Sequence, residues 1–128
     1  MIENFERLTC RLSEYEKNIL LPAVLEILVR CCGKSKAITN KRMIRNHLQK
    51  YAVNPARLRK VLHHIRTEGM VEGLMATSRG YYVADNREEL VKYVTSLEGR
   101  IRAQQHLRDN IKKQLEKMFP AKNTKKNL

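Results

Sequence analysis

The chain has 128 residues, the size of one domain with a single modest core. Its 26 Lys and Arg against 13 Asp and Glu leave a formal charge of +13, which points toward a polyanion as partner. No charged-then-apolar leader opens the sequence and its longest apolar run is much shorter than a bilayer span, so neither export nor a membrane partner is expected and the setting reads as cytoplasmic.

Residues 1–12 are mixed in character and read as an N-terminal arm. Ser13-Glu14-Tyr15-Glu16 has capping-box spacing, and Ile19, Leu20, Ala23, Val24, Ile27, Leu28 and Cys31 form one broad apolar face. A helix is therefore predicted from Ser13 to about Cys32, ended by Gly33, with a kink or break near Leu21 because Pro22 lies inside it. Ala37-Ile38 is long enough for a minimal strand. Thr39-Asn40 then starts a second helix with Ile44, Leu48 and Tyr51 on one side and Lys41, Arg42 and Arg45 off it.

A few residues later, Asn54 and Pro55 supply a side-chain cap and a first-turn proline. Leu58, Val61, Leu62 and Ile65 give the helix after them its apolar stripe, and Gly69 suits its end. Two short helices joined this tightly read as a helix-turn-helix. Residues 71–76 and 80–84 read as two strands connected by Thr77-Ser78-Arg79-Gly80. Strand alternation sends one of Tyr81 and Tyr82 inward and the other outward.

Asp85-Asn86-Arg87-Glu88 repeats the capping-box spacing and opens the longest element, residues 85–119. From Leu90 the positions Val94, Leu97, Ile101, Gln104, Arg108, Ile111, Leu115 and Met118 come in steps of four and three, a heptad register with a polar centre. Its second half extends beyond any core of this size. A homodimer through these residues is the leading expectation, with Gln104 and Arg108 setting register. The alternative is a helix that folds back on its own domain through Leu107. Residues 120–128 form a basic tail that reads as disordered.

Charge is unevenly distributed. Residues 34–84 carry 11 basic and 2 acidic side chains, against 4 and 5 in residues 1–33 and 11 and 6 in residues 85–128. The middle segment is therefore the expected seat of binding. Cys10, Cys31 and Cys32 make neither an even disulfide set nor a C-x-x-C pair, and with His47, His63 and His64 they lack the closely spaced ligand pairs of a structural zinc site. No metal and no cofactor are expected. There is no phosphate-cradling glycine loop, no H-E-x-x-H and no nucleophile with a neighbouring base, so an enzyme is not expected either.

Leu12-Ser13-Glu14-Tyr15-Glu16-Lys17-Asn18-Ile19-Leu20-Leu21-Pro22, Ile38-Thr39-Asn40-Lys41, Val61-Leu62-His63-His64-Ile65-Arg66 and Ser78-Arg79-Gly80-Tyr81-Tyr82-Val83 together carry a resemblance. On them the chain resembles the small winged-helix proteins of bacterial prophages and mobile elements over about residues 11–103. The I-R-x-x-G run at Ile65 to Gly69, with S-x-G-Y-Y after it, is its most specific part. The resemblance implies a winged helix-turn-helix and suggests DNA binding. The expected fold is thus mainly α with a small β-hairpin, a winged helix-turn-helix at 13–84 followed by a long C-terminal helix.

On that fold, helix 55–68 would enter the major groove of double-stranded DNA and the wing 71–84 would meet backbone or minor groove, in transcriptional control or in phage or mobile-element DNA maintenance. Asn54, Arg57, Arg59, Lys60, His63 and His64 are the candidates on the reading helix, with Arg57 and Lys60 foremost because their donors suit guanine O6 and N7. Thr39, Asn40, Lys41 and Arg42 lie at a helix N-terminus, a place for phosphate, and Arg79 tips the hairpin. A protein–protein interaction module in a replication or regulatory complex remains the alternative, with recognition of structured RNA by shape a third reading.

Overall fold

The computed structural model describes residues 11–121. The arm at 1–10, with Cys10, and the tail beyond Ala121 lie outside the described residues. The chain is mainly helical, with one two-stranded antiparallel hairpin and a long C-terminal helix. It divides into two units, one up to Leu90 and one from Val91.

The capping box at Ser13 forms in both directions. Glu16 donates its backbone N–H to Ser13 Oγ at 3.2 Å, and Ser13 N–H returns one to Glu16 Oε1 at 2.8 Å. The helix that starts there is not a plain α-helix. Glu16–Leu20 is a π turn, closed by a hydrogen bond from Leu21 N–H to Glu16 O, and it runs directly into α1, Leu21–Leu28. The expected break near Leu21 is thus a change of helix type, and it puts Pro22 in the first turn of α1, where a missing N–H is tolerated. The wider turn also rotates the preceding residues. Leu20 and Leu21 are both buried while Ile19, placed on the apolar face by simple periodicity, is exposed. The helix stops at Leu28 rather than Cys32. Beyond Leu28 the backbone pairs with the hairpin instead: Val83 N–H bonds to Cys31 O at 2.7 Å and Gly33 N–H to Val83 O at 2.9 Å.

After a single 3₁₀ turn at Lys34–Lys36, the minimal strand reduces to one residue. Ile38 exchanges two backbone hydrogen bonds with Tyr81, at 2.8 and 3.1 Å. Helix α2, Asn40–His47, is capped by Thr39, whose Oγ1 accepts Arg42 N–H at 3.2 Å. Its buried side chain is Met43, joined by Leu48 just past its end. The predicted stripe through Ile44 and Tyr51 is offset, because the helix ends before Tyr51; both residues are half-buried.

Helix α3, Pro55–Thr67, begins as predicted, with Asn54 Oδ1 accepting Arg57 N–H at 2.8 Å. Leu58, Val61, Leu62 and Ile65 are fully buried and, with Leu20, Val24, Leu28 and Met43, make the core. Gly69 ends it in the left-handed region at φ +64°, with Met70 N–H reaching back to Ile65 O at 3.0 Å. The hairpin is shorter than its sequence pattern. Strands β1, Leu74–Thr77, and β2, Gly80–Val83, pair with Thr77 opposite Gly80, while residues 71–73 form a turn. Tyr82 is buried and Tyr81 half-buried, the alternation expected of the pair.

Helix α4, Arg87–Met118, is one uninterrupted element with no buried residue. Its cap lies one residue later than predicted. Asn86 Oδ1 accepts Glu89 N–H at 2.9 Å, and Glu89 Oε1 accepts Asp85 N–H at 3.2 Å.

Candidate nucleic-acid interface

The N-termini of α2 and α3 open on one groove of about 750 Å³, lined by Asn40, Lys41, Ile44, Arg45, Val53, Asn54, Pro55 and Arg59. Ile44, Val53 and Pro55 give it an apolar floor; Lys41, Arg45 and Arg59, all exposed, give it a rim with no carboxylate. Thr39 and Asn54 each satisfy one first-turn N–H of their helices. The remaining first-turn amides and the positive ends of two helix dipoles add to the charge of the three side chains. This chemistry suits phosphate.

The hairpin tip adjoins the same place. Gly80, at φ +121°, packs so closely on the preceding segment that a Cβ there would lie 2.5 Å from Ile38 C and O and 2.8 Å from Thr39 N. Only a glycine fits. Thr77 Oγ1 donates to Gly80 O at 2.9 Å and accepts Arg79 N–H at 3.1 Å, which closes the turn on its own side chain. Exposed Arg79 is thereby held one residue from the point where Gly80 meets the backbone of Ile38 and Thr39, just before α2.

Arg57 and Lys60, the two foremost sequence candidates, are placed differently. Both turn to Glu16, Arg57 Nε at 2.8 Å from Oε2 and Lys60 Nζ at 2.9 Å from Oε1. Arg57 Nη1 also donates to Ala52 O at 2.9 Å, its guanidinium lies 5.1 Å from the Tyr15 ring centre, and Tyr15 Oη accepts Ala52 N–H at 2.8 Å. Glu16 itself is only 4 % exposed. Burial alone pushes its carboxyl pKa up, but the Ser13 amide, Arg57 and Lys60 outweigh that and hold it at about 2. The four side chains fasten the start of α3 to the π turn.

Capping-box spacing alone does not reveal this second role of Glu16, although the sequence holds a signal for it. Glu16, Leu20 and Val24 recur at four-residue steps, so an acid stands on the apolar face, where it needs buried cations. Arg45, off the apolar side of its helix but not among the sequence candidates, belongs to the groove. On α3, Arg59 and His63 are exposed four residues apart on one face; His64 is half-buried on another.

The Cys31 thiol donates to Ile27 O at 3.3 Å, and burial raises its pKa despite Lys36 and Arg42 nearby. Cys32 is exposed and free. Among the described residues no three His, Cys, Asp or Glu side chains gather as a metal site would require, and no helix is long and apolar enough to cross a membrane.

Along α4 the heptad residues Val94, Ile101, Ile111, Leu115 and Met118 are exposed, as are Gln104 and Arg108, and Leu97 is half-buried. Arg108 is paired with Asp109 at 2.9 Å. No protein-family model, curated protein or solved structure matches the chain.

Proposed function

We propose that residues 13–84 form a winged helix-turn-helix that binds double-stranded DNA, with α2 and α3 as the motif and the β1–β2 hairpin as the wing. The carrying observation is the groove between the two helix N-termini, rimmed by Lys41, Arg45 and Arg59 without an opposing acid. Arg59 and His63, on the exposed face of α3, are the groups that reach base edges, and Arg59 has the donor fork that fits guanine O6 and N7. Thr39, Asn40, Lys41, Arg42 and Arg45 position the backbone through phosphate contacts, and Arg79 meets the backbone or minor groove beside them. Arg57 and Lys60 keep α3 in place from behind. Such a protein would act in transcriptional control or in the maintenance of phage or mobile-element DNA.

The test is affinity for a duplex of about 30 base pairs across a salt series, measured by fluorescence anisotropy. Wild type is expected to bind with a steep salt slope, and Lys41→Ala with Arg45→Ala to lose about 0.9 from that slope per phosphate contact removed. Absence of binding at low salt sinks the proposal.

A further inference from the structure

We infer that the α4 helices of two copies of this chain pair antiparallel, in a register with its two-fold axis at residue 106. The inference stands apart from DNA binding, since it rests on residues 94–118 alone. The heptad positions of α4 are exposed apart from half-buried Leu97, and apolar at both ends, with Gln104 and Arg108 in the middle. Run against a second copy in the opposite direction, every layer finds a suitable partner. Val94 meets the partner's Met118, Leu97 the partner's Leu115, Ile101 the partner's Ile111, and Gln104 the partner's Arg108. A parallel pair stacks each residue on itself, which sets Arg108 against the partner's Arg108 in the seam. In the antiparallel register the Gln104 amide oxygen accepts from a guanidinium instead. Asp109, 2.9 Å from Arg108 in the single chain, holds the remaining charge at the rim.

The flanks agree with the same register. Glu98 falls beside the partner's Lys112, twice by symmetry, and no two like charges meet. Leu107 stands outside the heptad stripe and is 54 % exposed. In the antiparallel pair it lies against the partner's Leu107 next to the axis; in a parallel pair it would flank the partner's Lys112. One register therefore accounts for the polar centre, for the charge order along the helix and for an apolar residue out of place.

Sedimentation equilibrium of the full chain without DNA tests this. Wild type is expected to dimerise. Glu98→Lys and Lys112→Glu should each weaken the dimer roughly tenfold at low salt, because two attractive pairs become repulsive, and the double variant should return to within about twofold of wild type. Within one helix, or across a parallel pair, these positions lie about 21 Å apart, so there the two effects would multiply instead of cancelling. Multiplying effects, or a chain that stays monomeric up to about 100 µM, a range in which a conventional coiled coil of this length is well populated, overturn the inference. Gln104→Glu gives an independent sign: tighter association if it faces the partner's Arg108, weaker if it faces itself.

Discussion

Arg57 and Arg59 sit two positions apart on one helix and have opposite environments. Arg57 is held by a buried carboxylate, a carbonyl and a tyrosine ring, whereas Arg59 lies on the rim of an open groove. Substitution should separate them. Arg57→Ala leaves Glu16 buried with one cation in place of two and is expected to cost about 2 kcal/mol, a fall in Tm of roughly 10 °C read by thermal melting. Arg59→Ala should leave Tm within about 2 °C and act on DNA affinity instead. The carboxylate has its own signature in acid. Its folded pKa of about 2 lies below the ordinary 4.5, so its contribution is fully present above pH 4.5 and is lost as pH falls toward 2. The difference amounts to about 3 kcal/mol, and Glu16→Gln should flatten the stability profile across that window in urea titrations at stepped pH.

At the level of elements, the parts legible in the sequence are those whose cause is local. Thr39, Asn54 and Gly69 act on backbone groups within a turn or so of themselves, and each falls where its type predicts. The Ser13–Glu16 box does too. Face assignments fail where the helix period changes: one π turn moves Ile19 out and Leu21 in. Strand lengths fail because residues 71–73 form a turn, although their composition suits a strand. The Glu16–Arg57 pair is out of reach for another reason, since it joins residues 41 apart in the chain and only the packed fold brings them together. The Gly80 seam belongs with these. Its glycine suits a turn by type, yet the tight constraint is the backbone of Ile38 and Thr39 lying against it. Gly80→Ala must push that backbone aside and is expected to cost more than about 2 kcal/mol. Hydrogen exchange at the Ile38 and Tyr81 amides checks this: both should lose protection before the core of α3 does.

For the whole molecule, charge placement matters more than the total of +13. Two of the cations in the middle segment are engaged inside the fold by Glu16, whose single negative charge offsets one of them, so the charge offered to a polyanion is smaller than the middle segment's composition suggests. Glu16→Gln would remove that one negative charge, while Arg57 keeps its contacts with Ala52 O and the Tyr15 ring. Nonspecific DNA affinity should then rise and its salt slope steepen by no more than about 0.9 while stability falls, which a salt series on that variant measures. Charge available for binding and firmness of fold thus meet at one buried carboxylate.

The unbroken run of α4 from Arg87 to Met118 also acts as a ruler. With an axis at residue 106, an antiparallel seam from Val94 to Met118 runs about 36 Å, and each layer lies as far from the axis on one side as its symmetry mate does on the other. Trimming the helix from Met118 inward therefore removes contacts at both ends of the seam together, two layers at a time.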